Sequence, residues 1–184
     1  MSNTKISELP SLAVPAPTDI VPLVDDPAGS PVTKQATVRA LVDAGRAGAI
    51  LTDAEGSTSN ISVGSSYVLI TTWDASASVG DVTPDHTTNN DVTVATAGYY
   101  AMDFTISYSG TASKTFTCTL HVNGSPNTAA SFARKLGTGG DVGAGGFCAL
   151  VSLAASDVLT VYVKSDTAGN TFTVHSGQFR VNSV

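Results

Sequence analysis

From about residue 65 to the end, apolar and polar side chains alternate. Tyr67, Leu69, Thr71 and Trp73 interleave with Val68, Ile70 and Thr72, and Val92, Val94 and Thr96 follow. Tyr100, Met102, Phe104, Ile106 and Tyr108 share one parity, against Ala101, Asp103, Thr105 and Ser107 on the other. Phe116, Cys118, Leu120 and Val122 repeat the pattern against Thr115, Thr117, Thr119 and His121. Leu159, Val161 and Val163 form another such run, and the last spans 171–181. Side chains of a strand point alternately to its two faces, so a period of two means strands with one apolar face. The Thr, Val, Tyr and Phe content agrees, and Asn123-Gly124 is a hairpin turn signal. Several such strands with no helical period between them predict an all-β fold over 65–184, an antiparallel jelly-roll sandwich.

The first part of the chain reads differently. Pro10, Pro15, Pro17, Pro22, Pro27 and Pro31 fall within the first 31 residues. Each fixes its own φ and pushes the residue before it toward extended backbone. Between them stand Ile6, Leu9, Leu12, Val14, Ile20, Val21, Leu23 and Val24. Prolines hold these aliphatics apart, which predicts an extended strap that buries them on another surface. A short helix is expected near 37–44, capped by Thr37, striped by Val38, Leu41 and Val42 and ended by Gly45. Residues 46–64, rich in Gly, Ala and Ser, read as a flexible connector. The expected organisation is therefore an anchoring segment over 1–45, a connector over 46–64 and the jelly roll over 65–184.

Composition narrows the partners. Of 184 residues 13% are charged, with 9 basic against 15 acidic and a net charge of −6. Nucleic acid needs a basic face to displace phosphate counterions, so it is not expected as a partner. No apolar run approaches the roughly 18 residues of a membrane span, so no membrane is expected either. Residues 1–10 lack the basic-then-apolar pattern of a secretory signal. Ser and Thr together make about a quarter of the chain, and they occupy the second faces of the strands where Lys and Glu are usual. Neutral polar faces of this kind fit surfaces buried between subunits.

No catalytic constellation emerges. His86, His121 and His175 are scattered, and neither a GxSxG elbow nor an HExxH helix is present. Gly137, Gly139, Gly140, Gly143, Gly145 and Gly146 resemble a phosphate loop only superficially. They lack the Lys, and a strand at 147–151 follows instead of a helix N-terminus, so they read as a mobile hairpin loop. Asp81, Asp85, Asn89, Asn90 and Asp91 form a solvated acidic loop or a Ca²⁺ loop of unfamiliar spacing. Cys118 and Cys148 are either buried free thiols or one disulfide; no zinc spacing accompanies them. No enzyme activity, cofactor or metal is expected.

Two resemblances rest on particular residues. Lys5-Ile6-Ser7-Glu8-Leu9-Pro10, Asp19-Ile20-Val21-Pro22-Leu23-Val24-Asp25-Asp26, Lys34 and Thr37-Val38-Arg39-Ala40-Leu41-Val42 resemble the N-terminal virion-attachment segment of tailed-bacteriophage head-decorating and tail-fibre proteins. Gly98-Tyr99-Tyr100, Leu120-His121-Val122-Asn123-Gly124, Leu153-Ala154-Ala155-Ser156-Asp157-Val158-Leu159 and Phe172-Thr173-Val174-His175-Ser176-Gly177-Gln178-Phe179 resemble the jelly-roll domain of the tumour necrosis factor and complement globular-head superfamily. Ser156-Asp157 stands where Gly-Asp is usual there. The resemblances imply a homotrimeric capsid decoration protein on the outer surface of the virion, held to the major capsid protein through residues 1–45. A tail-fibre or spike tip that binds a host surface ligand is the second expectation.

Overall fold

The computed structural model describes residues 20–25, 32–37, 46–54, 58–139 and 141–184, and for the first two segments the backbone. The chain divides into two units, Met1–Gly45 and Arg46–Val184. In the first unit β1 (Ile20–Asp25) pairs antiparallel with β2 (Val32–Thr37), Ile20 opposite Thr37 and Asp25 opposite Val32. The expected strap is thus in part a hairpin. Pro22, opposite Gln35, is compatible with it because each strand of a two-stranded ribbon has one unpaired edge. The helix expected near 37–44 lies outside the described residues, except that Thr37 ends β2 instead of capping a helix.

In the second unit the described residues form two six-stranded antiparallel sheets. One contains β3 (Gly48–Asp53), β4 (Ser59–Val63), β6 (Ala75–Val79), β9 (Gly98–Gly110), β12 (Gly143–Leu153) and β14 (Asn170–Ser183). Its order is β12-β9-β14-β3-β6, with β4 also on β14. The other contains β5 (Val68–Leu69), β7 (Val82–Asp85), β8 (Asp91–Val94), β10 (Thr115–Val122), β11 (Ser125–Lys135) and β13 (Val158–Ser165). Its order is β11-β10-β13-β8-β7, with β5 also on β13. The result is a jelly-roll sandwich. The Asn123-Gly124 turn joins β10 to β11 with both residues left-handed, at φ 51° and 76°, the backbone a two-residue type I′ hairpin needs.

The alternation predicts the buried set along the long strands. Tyr100, Met102, Phe104, Ile106 and Tyr108 of β9 face inward, as do Phe116, Cys118 and Leu120 of β10 and Leu159, Val161 and Val163 of β13. Their centre is aromatic. Phe104 lies 5.1 Å from Phe147, 6.2 Å from Phe132 and 6.4 Å from Trp73. Tyr108 lies 4.6 Å from Phe172 and 6.2 Å from Phe116. Phe132 of β11 touches both Phe104 and Tyr108, which ties the edge of one sheet to the middle of the other.

Several expectations are corrected. Residues 46–64 are no connector: β3 pairs with β14 and β6, and β4 pairs with β14. The small residues that suggested flexibility serve close packing, since a Cβ on Gly48 would meet Asn182 Oδ1 at 2.6 Å. The glycine run is no loop past residue 142. Gly143, Gly145 and Gly146 belong to β12, and Gly145 leaves room for the Phe132 ring, which a Cβ there would strike. The expected strand at 67–73 is short, because the chain breaks parity to bury Thr72 and Trp73 together. The acidic loop is the β7–β8 hairpin. Asp85 accepts hydrogen bonds from the backbone amides of Thr87, Thr88 and Asn89 and is held below its ordinary range, chiefly by the Thr88 amide. Both cysteines are free, with Cys118 buried and Cys148 exposed, not both buried.

Two substitutions report on this packing. Gly145→Ala should destabilise by about 1–3 kcal/mol, because the added methyl displaces Phe132 from the aromatic centre. Cys118→Ser should cost on the order of 1–3 kcal/mol by burying an unpaired hydroxyl among Phe116 and Leu120. Urea unfolding midpoints of the two variants against the parent protein measure both.

Candidate interaction face

The outward parity of the β9 sheet assembles a face of unusual composition. Register places Leu150, Ala101, Asn182, Gly48 and Val79 in one cross-strand row, and Cys148, Asp103, Arg180, Ile50 and Ala77 in the next. A third row holds Gly146, Thr105, Gln178, Thr52 and Ala75. Asp103 and Arg180 are the formal charges in these rows. Both are exposed and opposite each other in the β9–β14 register. Among the described residues the ion pair is Arg134–Asp141 at 3.7 Å, so Asp103 and Arg180 are not joined to each other. The first row exposes large apolar groups at both ends, with Leu150 63% and Val79 59% exposed, and Tyr99 beside it is 61% exposed. The opposite face carries Lys135, Lys164, Asp85 and Asp91, a more usual mixture for a solvated sheet.

Two hollows mark the face. One of about 800 Å³ is lined by Thr52, Thr105, Ser107, Ser176 and Gln178 among others. It lies beside the β14 bulge between Val174 and Ser176, where His175 leaves the register and its Nε2 meets Ser109 Oγ at 2.9 Å. The other, of about 460 Å³, is lined by Ile50, Ala77, Val79, Arg180 and Asn182. Small side chains on adjacent strands cannot fill the space that larger ones would occupy, so these concavities are a direct product of the Ser/Thr/Ala/Gly parity.

Buried polar groups lie beneath this face and across the sandwich, and Asp53 is among the residues that line the first hollow. At the end of β3, Asp53 is 3% exposed and neither carboxylate oxygen has a hydrogen-bond partner. Burial raises its pKa, and the negative charge of the neighbouring Asp74 adds to it. Trp73 Nε1 and Thr72 Oγ1 are likewise buried without partners. Tyr108 carries a buried hydroxyl without a partner, and burial pushes its pKa up to about 12. On the outward side of the β10 sheet His121 stacks on Tyr162 at 4.1 Å and meets the Tyr67 ring edge-on at 4.8 Å, while Lys164 Nζ sits 4.4 Å above Tyr67. His121 Nδ1 lies 3.1 Å from the Gly124 carbonyl oxygen. Burial lowers the His121 pKa, with the Gly124 carbonyl acting the other way.

The candidate residues therefore separate. The three histidines stay apart: His86 Nδ1 meets Ser76 Oγ at 2.9 Å, His175 sits at the bulge and His121 in its ring cluster. Among the described residues no three His, Cys, Asp or Glu side chains gather as a metal site would require. Of the expected anchoring residues, Ile20, Val21, Leu23 and Val24 lie on β1, and Ile6, Leu9, Leu12 and Val14 lie outside the described residues. The β3 and β6 part of the face escaped the sequence reading, because those strands are too rich in Ala and Ser to show a strong alternation. The Asp53 burial left no signal at all.

The buried groups predict how stability depends on pH. The raised Asp53 pKa means that ionising this residue opposes folding. The penalty is absent below the ordinary carboxylate range and grows as pH rises toward neutrality. Asp53→Asn should thus raise stability at pH 7, with the advantage shrinking toward pH 4. The lowered His121 pKa acts in the other direction, removing stability as pH falls below the ordinary 6.5 toward the folded value. His121→Phe should flatten the slope between pH 7 and 5. Denaturant midpoints taken across pH 4 to 8 test both.

No family model matches the chain, and no curated protein matches it. Solved structures do. The chain is similar to the Eiger TNF of S. frugiperda, with a TM-score of 0.58 at 15% identity over 74% of this chain and 91% of that one. It is also similar to murine APRIL, with a TM-score of 0.50 at 11% identity over 74% of this chain and 99% of that one. At this identity the likeness is one of fold: the sandwich of residues 46–184 is a TNF-like jelly roll.

Proposed function

We propose that this chain is a structural virion protein: a capsid decoration or head-fibre protein of a tailed bacteriophage, acting as a homotrimer without catalytic activity. The observation that carries the assembly is the outward face of the β9 sheet. A single acid and a single base stand in three rows of neutral side chains, with Tyr99, Leu150 and Val79 exposed. Solvated sheet faces use charge to stay soluble and apart. A face so short of charge is suited to lie against another copy, and a closed three-fold ring repeats one heterologous contact three times. The TNF-like fold is in keeping with such a ring.

The attachment rests on residues 1–45, which form a unit of their own and carry the phage-like segment. Aliphatics such as Ile6, Leu9, Ile20 and Leu23 each contribute roughly 25 cal/mol per Å² when laid on a capsid surface. Ordering the segment costs about 1–2 kcal/mol per residue, less where proline has stiffened the free chain. One segment therefore holds modestly. Three segments on one trimer act together and gain roughly 10²–10⁴ in avidity where their spacing fits the shell. The major capsid protein is the partner and the outer surface of the capsid the location. The second reading, a tail-fibre tip that binds a host surface ligand, is favoured by the two hollows.

Three measurements test the trimer, the anchor and the choice between these readings. Sedimentation equilibrium of the full chain should give three copies, and a single copy at micromolar concentration overturns the trimer. Deleting residues 1–31 should leave a folded protein of unchanged assembly that no longer binds capsids lacking it. Full occupancy by the truncated protein places the anchor elsewhere, and a copy number of a few per particle instead of hundreds favours the tail.

A further inference from the structure

We infer that Asp103 and Arg180 are the specificity-determining charge pair of the contact between copies, Arg180 of one copy facing Asp103 of the next. This rests on the reading that copies meet through the β9 sheet face. The two residues are the formal charges of three rows that span five strands, and they sit side by side in the middle row. Both side chains are exposed, and no ion pair joins them within one copy, although the register sets them opposite each other. Around a three-fold axis the same patch of all three copies meets, so an acid and a base set side by side there can alternate from copy to copy. In a heterologous contact each copy presents its base to the acid of one neighbour and its acid to the base of the other. Every charge then finds an opposite one, and no sliding of the two faces along the neutral rows preserves that match. Such pairs set register and exclude wrong orientations more than they add affinity.

The same row supplies its own reporter. Cys148 stands next to Asp103 in the register and is exposed in the single copy. Cys118 is fully buried, and burial raises its thiol pKa, so it does not react with a thiol reagent in the folded domain. A contact that covers Asp103 and Arg180 covers Cys148 as well.

Charge reversal tests the pair. Asp103→Arg and Arg180→Asp each place like charges together and should weaken assembly on the order of 100-fold or more. The exchange D103R/R180D restores opposite charges and should return both the assembly and its register. Sedimentation gives the number of copies, and titration of the folded protein with Ellman's reagent gives the thiols in reach. The expected result is no reactive thiol in the parent assembly, one in each single variant and none in the exchanged one. Because both side chains point to solvent, the variants keep the core, and unchanged near-ultraviolet circular dichroism of the dissociated variants checks this. A parent trimer whose Cys148 reacts freely overturns the inference, as do single variants that still assemble or an exchanged variant that stays dissociated. A parent protein that sediments as one copy overturns the trimer itself.

Discussion

The contact between Phe104 and Tyr108 of β9 and the rings around them is what the rest of the domain depends on. Phe147 comes from β12, Phe132 from β11, Phe116 from β10, Phe172 from β14 and Trp73 from the segment before β6. Both sheets therefore meet at one set of rings. A jelly roll has few local contacts, and its strands pair with partners far along the chain. Rings at every fourth residue of β9, with Met102 and Ile106 between them on the same face, supply enough buried area at one point to set register in both sheets. Gly145 of β12 follows from this, because Phe132 reaches from β11 into the space that a side chain there would occupy.

A centre built on inward aromatic residues leaves the outward parity free to vary. On the β10 sheet that freedom carries charges and a compact ring cluster about His121. On the β9 sheet it carries small neutral side chains, two hollows and one opposite-charge pair. The two faces therefore differ in composition although both belong to one sandwich. In the first unit the sequence spaces aliphatic residues with prolines, and the attachment proposed above rests on that segment.

The fold class was legible in the sequence because strands of period two, with Tyr, Phe and Val on one parity, cannot bury that parity except in a sandwich. The inward residues of β9, β10 and β13 and the Asn123-Gly124 turn follow from local rules of side-chain direction and φ alone. The same rules failed at β3, β4 and β6. There, Gly, Ala and Ser alternate weakly, and the strands exist because β14 offers them an edge to pair with. They failed again at Gly143, Gly145 and Gly146, where glycine records the close approach of Arg134, Phe132 and the Phe104 carbonyl, respectively, and not a turn of the chain. The exposed Cys148, the buried Asp53 near Asp74, and the register that sets Asp103 opposite Arg180 on β9 and β14 were decided by tertiary structure. Local periodicity specifies which face of a strand a residue occupies. Only the pairing of distant strands specifies its neighbours there, and whether that face meets water.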